Sequence, residues 1–253
     1  MSFRIRKHHK ELDHNLATGI DRFFISNDPG DSGLQLVRSN RNREVYLVKM
    51  QNQVYYVKRF FSTSTREKIK NIILNKAFNS FRLSHRLMST GFLVAEPVLA
   101  FRCHKKGEGV YVTKKLTGFP LNEFLSFDIP EVSKEKALNQ FVITIANLFK
   151  NGFLHCDPTL SNFLISEKND HYEIGLVDLD AIIQLPRPID TLTYKNLAKL
   201  YARSPILWEY RDKLARQNYL KTFIRIYNHR LDPVTVRKRI GRMIAKRMSR
   251  LAS

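Results

Sequence analysis

The sequence predicts an α+β protein of two lobes, a small β-rich lobe followed by a mostly helical one. Between residues 34 and 116, short runs rich in valine and tyrosine alternate with polar turns around one long helical pattern. From Ser133 onward, apolar residues recur at helical spacing, interrupted by a small hairpin between Phe163 and Val177. Strands with one helix, then helices with one hairpin, is an α+β order. The expected divisions are an N-terminal extension over 1–30, a β-rich lobe over 31–116, a helical lobe over 117–233 and a basic amphipathic helix over 234–253.

Residues 1–30 are polar and mixed, ending in the turn-like Asn27-Asp-Pro-Gly30. Leu34–Arg38 and Glu44–Met50 read as strands around the polar turn Ser39–Asn42. Gln53-Val-Tyr-Tyr-Val-Lys-Arg-Phe60 is the clearest strand of the first half, and alternation puts Val54, Tyr56 and Lys58 on one face. A helix, continuous or broken, is expected from about Thr65 to Thr90, with Gly91 as its cap. Strands follow, one opening at Ala95–Val98 and another at Val110–Thr113, then a turn at Thr117–Pro120. Ser133 is the expected cap of the next helix, a partial signal because Lys136 stands where a capping box places Glu or Gln. Its stripe Leu138, Phe141, Val142, Ile145, Leu148 and Phe149 reads as core, and Asn151-Gly152 ends it. Phe163–Ile165 and Ile174–Val177 flank the turn Glu167–Asp170. Beyond Pro188 the pattern is helical.

The charge is unusual: 43 Lys and Arg against 23 Asp and Glu, a net +20. That balance implies a polyanionic neighbour, nucleic acid or an anionic lipid surface. Two cysteines, Cys103 and Cys156, provide no disulfide framework and favour a reducing compartment. The basic N-terminus has no apolar run behind it, so no signal peptide is read. Ala137–Phe149 is too short to span a bilayer. The expectation is a cytoplasmic protein, soluble or bound at a membrane surface.

The chemistry concentrates in His155-Cys-Asp-Pro-Thr-Leu-Ser-Asn162, followed after the hairpin by Val177-Asp-Leu-Asp180. Phosphoryl transfer needs little covalent help. It needs the phosphates neutralised, the acceptor hydroxyl aimed and its proton accepted. An Asp on a loop can take that proton. An Asn five residues on, and a second Asp across the hairpin, offer the hard oxygens that magnesium prefers.

The arrangement resembles the protein-kinase superfamily, with its His-x-Asp-x-x-x-x-Asn loop and a metal Asp on the next hairpin. The resemblance implies a bilobal protein-kinase-like fold. It implies Asp157 as catalytic base, Asn162 and Asp178 as metal ligands, His155 as a structural brace, and Lys58 as the lysine that meets the nucleotide phosphates, with ATP and Mg2+ as cofactors. Cys156 replaces the arginine of regulated protein kinases, no Ala-Pro-Glu follows, and only Gln184–Pro188 separates the metal Asp from the next helix. Small-molecule or glycan acceptors fit better than peptides.

His-x-Asp-x-x-x-Ser-Asn with Val-Asp-Leu-Asp, together with Ser89-Thr-Gly-Phe-Leu-Val-Ala-Glu-Pro-Val98, is similar to the bacterial lipopolysaccharide kinase family over about residues 34–205. Of that family's Gly-x-x-x-Pro-x-Pro element, Gly91, Ala95 and Pro97 preserve a part. This resemblance implies Mg-ATP, a heptose or 3-deoxy-D-manno-octulosonic acid acceptor in a lipid-linked glycan, and work at the cytoplasmic face of the inner membrane.

The chain departs from the superfamily pattern in two places. Val37–Arg43 contains no glycine; its arginine and asparagine side chains either grip phosphate or form an ordinary turn. Between Lys68 and Ala95 there is no acid to pair with Lys58, and Glu67 is the nearest candidate. Asp180 is an extra metal carboxylate or a structural one. Leu192–Tyr227 is expected to help form the acceptor site.

In the tail, Val236, Ile240, Met243, Ile244, Met248 and Leu251 recur at helical spacing among Arg237, Lys238, Arg239, Arg242, Lys246, Arg247 and Arg250. Near an anionic leaflet each such cation contributes up to about 1 kcal/mol. The helix lies on a membrane, packs its stripe on the helical lobe with a solvated basic face, or does both. His8, His9, His14 and His229 have no metal-ligand spacing. The rival functions are an atypical protein kinase with an RNA- or ribosome-associated target, and a pseudokinase binding module.

Overall fold

The computed structural model describes residues 18–20, 33–50, 52–62, 75–103, 108–169, 171–204, 206–209, 219–228 and 230–252. Glu67, the Thr65–Leu74 part of the expected helix, His8, His9, His14 and His229 lie outside them. The chain divides into two compact units, Met1–Leu116 and Thr117–Ser253.

The first unit is built on five antiparallel strands. They are β1 (Gln35–Asn40), β2 (Arg43–Met50), β3 (Gln53–Phe60), β5 (Pro97–Cys103) and β6 (Glu108–Lys114), in the order β1-β2-β3-β6-β5. Helix α1 (Lys76–Ser89) and the short strand β4 (Leu93–Val94) lie between β3 and β5 in sequence. Alternation gives the sheet two apolar faces. Tyr55, Val57, Leu99, Phe101, Val110 and Val112 form one core with Tyr46 and Val48. Ile20 joins it at 2% exposure, so the segment read as a polar extension contributes to this core. On the other face Phe60, Ala100 and Tyr111 pack with Ala77 and Phe81 of α1. Asn75 caps α1, its side chain accepting from the Phe78 amide at 3.3 Å. Ser84 and Tyr111 share a buried hydrogen bond of 2.5 Å that ties α1 to β6.

Arg59 links three strands. Its Nε donates to Glu108 at 2.7 Å and its Nη1 to Glu44 at 3.1 Å. Tyr46 donates to the same Glu44 oxygen, and its phenol is pushed up to about 12 by burial first and by Glu44 second. Replacing Arg59 with methionine strands two carboxylates, of which Glu108 keeps only 9% of its side-chain exposure. The expected cost is about 2–3 kcal/mol, less than the removal of one partner from a fully buried pair. Urea unfolding checks this: the midpoint should fall in Arg59→Met and partly recover in Arg59→Met/Glu108→Leu. A single variant as stable as wild type would remove the network from the account.

The second unit begins with the short strand β7 (Phe119–Pro120), helix α2 (Leu121–Ser126) and the long helix α3 (Glu131–Lys150). Pro130, not Ser133, is the N-cap of α3. The Pro130 carbonyl accepts from the Ser133 amide at 2.9 Å, and Pro130 has no amide of its own to leave unpaired. Glu131 supplies a favourable charge to the first turn. Of the expected α3 stripe, Leu138, Phe141, Ile145, Leu148 and Phe149 are buried and Val142 is half-buried.

Strand β8 (Phe153–His155) is followed by the hairpin of β9 (Phe163–Lys168) and β10 (His171–Leu176), and then by β11 (Ile182–Gln184). The turn of the hairpin uses Asn169 at φ 50°. Phe163 packs edge-on to Phe141 of α3 at 4.9 Å. Beyond Ile189 the elements of the described residues are helices: α4 (Asp190–Ala202), the short α5 (Ile206–Glu209), α6 (Tyr219–Tyr227) and α7 (Pro233–Ala252). Tyr227 ties α6 to α4 by donating to Asp190 at 2.8 Å.

The basic tail is α7, and it packs on its own unit. Val236 is 2% exposed, and the Arg239 guanidinium lies 5.8 Å above the Tyr194 ring of α4. Ile240, Ile244 and Met248 line an apolar cavity of about 1060 Å³ shared with residues of α3, α4 and α6. Among the described residues no helix is long and apolar enough to cross a membrane.

Candidate active site

The loop His155–Asn162 is positioned by two strand pairings. β8 pairs antiparallel with β11, placing His155 opposite Ile182. β9 pairs with β10, placing Phe163 opposite Leu176. The first pairing starts the loop beside Ala181, whose carbonyl accepts from the Cys156 amide at 2.6 Å. The second ends it beside Val177, whose amide donates to the Asn162 carbonyl at 3.0 Å. Residues far apart in sequence are thereby set side by side at the ends of paired strands.

Within the loop, the Asn162 Nδ2 donates to the Asp157 carbonyl at 2.8 Å, and the Asp157 amide donates to the His155 Nδ1 at 3.3 Å. Both bonds involve the Asp157 backbone, so its carboxylate is left to chemistry and to neighbours. His155 is fully buried, 5.8 Å from the Phe163 ring. Burial holds its imidazole below the usual pKa, against the pull of the Val177 carbonyl and of the Asp178, Asp157 and Asp180 carboxylates. The charges of three acids thus act on one buried ring.

Asp178 occupies left-handed backbone, φ 59° and ψ 45°, at the start of a 3-10 turn over Leu179–Ala181. That conformation costs about 1–2 kcal/mol for most residues and less for Asp. It turns the chain immediately after β10, and the Ala181 amide closes the turn on the Asp178 carbonyl at 3.0 Å.

The Asn162 Nδ2 is committed, which leaves its amide oxygen as an acceptor. With the Asp178 carboxylate it makes a pair of hard oxygen donors that suits magnesium. Among the described residues no group of three His, Cys, Asp or Glu side chains is placed to hold a metal. An ion that keeps most of its coordination from phosphate and water needs no such cage.

Lys58 lies on β3 of the other unit, opposite Val45 and Tyr111 in register, on the face that packs against α1. Helix α1 carries no acid over Lys76–Ser89. The structure thus brings Asp157, Asn162, Asp178 and His155 together within one unit, with Lys58 on the sheet of the other.

Three residues that the sequence did not single out stand at the loop, two from α4 and the third, Arg203, its C-cap. Asn196 donates to the His155 carbonyl at 2.8 Å. Lys199 donates to the Cys156 carbonyl and sits 3.8 Å from the Asp157 Oδ1. Arg203 pairs directly with that Oδ1. Positions 196, 199 and 203 follow i, i+3, i+7 spacing, so they share one helix face.

A β-rich unit, a helical unit and an Asp-bearing loop braced by a buried histidine define a protein-kinase-like phosphotransferase. A model of the lipopolysaccharide kinase (Kdo/WaaP) family matches residues 34–227, and the chain belongs to that family. Among solved structures, WaaP in complex with acyl carrier protein aligns with a TM-score of 0.63 at 18% identity, covering 90% of this chain and 95% of that one. The bifunctional kinase-methyltransferase WbdD aligns at 0.45 and 17% identity, covering 80% of this chain and 42% of that one. No curated protein sequence matches the chain. The chain is therefore a kinase of lipopolysaccharide biosynthesis with a protein-kinase-like fold.

Proposed function

We propose that this protein transfers the γ-phosphoryl group of ATP to a sugar hydroxyl of the lipopolysaccharide core, on heptose or 3-deoxy-D-manno-octulosonic acid, at the cytoplasmic face of the inner membrane. The observation that carries the reading is the family match over residues 34–227, which spans the whole Asp157–Asp178 constellation. Asp157 accepts the proton of the acceptor hydroxyl. His155 and Asn162 hold the backbone of Asp157, so its carboxylate is aimed before the acceptor arrives. The amide oxygen of Asn162 and the carboxylate of Asp178 would hold magnesium, which would supply neutralisation of phosphate charge. Lys58 meets the nucleotide phosphates.

The apolar cavity beside α7 supports a lipid-linked acceptor, because it gives the second unit room for a hydrocarbon chain. The basic face of α7 adds attraction to an anionic leaflet. The WaaP structure is of a complex with acyl carrier protein, so an acyl chain on such a carrier is a second occupant that the cavity suits. Intact-complex mass spectrometry of the purified chain separates a carrier from a glycolipid.

The function itself is tested by mass spectrometry of lipopolysaccharide from cells with and without the protein. The expected result is loss of one phosphate group per core. An unchanged core, together with an RNA affinity that falls steeply with salt, would transfer the activity to a ribosome- or RNA-associated target.

A further inference from the structure

The catalytic loop has no cation of its own: Asp157 is followed by Pro158, Thr159, Leu160, Ser161 and Asn162. Cations reach it from α4 and its C-cap. Lys199 of α4 and Arg203, the C-cap of that helix, stand one turn apart, Arg203 on the Asp157 carboxylate and Lys199 on the Cys156 carbonyl. Arg247 of α7 is close enough for Lys199 to feel its charge. Burial first, then Arg203, hold the Lys199 ammonium below its usual pKa; Asp157 opposes them and Arg247 adds to them.

Among the described residues, Lys199 and Arg203 therefore share the Asp157 carboxylate, and α7, which packs on α4, brings the Arg247 charge to bear on Lys199. The Arg247 Nε is also shielded from solvent without a hydrogen-bond partner. A shielded guanidinium N–H with no acceptor, on a helix packed against the one that carries Lys199, is a place where an anion gains charge-assisted hydrogen bonds at little cost in ordering.

We propose that Lys199, Arg203 and Arg247 form an anion subsite that receives a carboxylate or phosphate carried by the acceptor sugar near its reacting hydroxyl. The proposal rests on Asp157 as the base. Arg203 holds the Asp157 Oδ1 when no acceptor is bound. An anionic group on the sugar gives Arg203 a second carboxylate-like partner and draws the guanidinium off that oxygen, and the hydroxyl takes its place. One anion thus fixes the sugar and clears the oxygen that the hydroxyl must reach. A neutral sugar does neither. The three cations are positioning residues and the substrate class is an acidic or phosphorylated sugar.

Steady-state kinetics on the full chain test this with Arg203→Leu, Arg203→Lys, Lys199→Met and Arg247→Leu. The acceptor is core glycolipid from cells lacking the protein, used intact, with its carboxylates reduced to alcohols, or with its phosphates removed. In Arg203→Leu the acceptor KM should rise about tenfold or more, the loss of one charge-assisted bond pair, with the ATP KM unchanged. Arg203→Lys should recover part of the loss. One of the two stripped acceptors should be equally weak with wild type and insensitive to Arg203→Leu, which names carboxylate or phosphate as the anion. An unchanged acceptor KM in every variant overturns the subsite. So does a rise in the ATP KM instead, which would assign the cations to the nucleotide.

Binding of inorganic phosphate, with the nucleotide site filled by a non-hydrolysable ATP analogue, gives a readout that needs no transfer. Weaker binding in Arg203→Leu and Arg247→Leu supports the subsite even where wild type phosphorylates no glycolipid, a result that would sink the assigned function alone. Equal binding in wild type and variants overturns the subsite.

Discussion

Replacing Asp157 with asparagine is expected to slow phosphoryl transfer by about 10²–10⁴-fold, the range a positioned general base contributes, while the protein stays folded. The structure separates the two effects. The Asp157 backbone makes the bonds that shape the loop, to the His155 Nδ1 and the Asn162 Nδ2, and asparagine keeps both. The carboxylate is 47% exposed, and its partner Arg203 is 41% exposed. A pair that open contributes about 1 kcal/mol or less. The loss is therefore chemical, and it should appear in kcat. Asp178→Asn is the companion variant, because asparagine tolerates the left-handed backbone at that position and removes only the charge. Transfer from ATP to core glycolipid is the measurement, with thermal unfolding as the control on folding. Transfer near the wild-type rate in both variants would remove Asp157 and Asp178 from the mechanism.

How much of this was legible in the sequence differs by element, for physical reasons. β3 was read residue for residue as Gln53–Phe60, because a strand apolar on both faces and rich in valine and tyrosine has few other readings. The α3 stripe and the hairpin beyond it were legible for the same reason: periodicity reports which face is buried. The loop was legible because its residues are adjacent in sequence and their spacing is diagnostic. Periodicity cannot say which partner a face meets. Asn196, Lys199 and Arg203 share one side of α4, but only the packing of α4 through Thr193 and Tyr227 turns that side to the loop. The tail shows the same limit. Its amphipathic pattern fitted a membrane, the lobe or both, and in the structure Val236 is buried while the half-buried Ile240, Ile244 and Met248 line the apolar cavity. Ser133 was misplaced as a cap because the helix starts after Pro130 with no side-chain cap bond, so no Ser, Thr, Asp or Asn marks its start. Ile20 was missed because a lone apolar residue in a polar segment has no period to reveal it.

The second large effect is expected at Gly152, where a single methyl group should disturb the loop from outside it. Gly152 follows the C-cap of α3 at φ +77°, backbone that an L side chain rarely adopts. A Cβ there would lie 2.6 Å from the Leu185 carbonyl oxygen, an approach that real Cβ atoms essentially never show. Leu185 cannot simply withdraw, since its amide donates to the Gly152 carbonyl at 2.8 Å. That bond sits beside the β8–β11 pairing, in which Gln184 faces Phe153 and Ile182 faces His155. Gly152→Ala should therefore cost the left-handed strain of about 1–2 kcal/mol and a further overlap cost of about 1–3 kcal/mol. Gly91 provides the internal control: φ is +84° there too, but nothing stands within 4 Å of the added methyl. Gly91→Ala should show the strain alone. Denaturant unfolding of the two variants isolates the overlap by difference. Transfer activity then reports whether the displacement reaches Cys156 and Asp157 through the Ala181 carbonyl. If Gly152→Ala unfolds with Gly91→Ala, the backbone at Leu185 yields freely and the β8–β11 pairing does not hold the loop rigidly. If it unfolds well below Gly91→Ala and also loses kcat at temperatures where it remains folded, the geometry of the catalytic loop is set by a contact outside the motif.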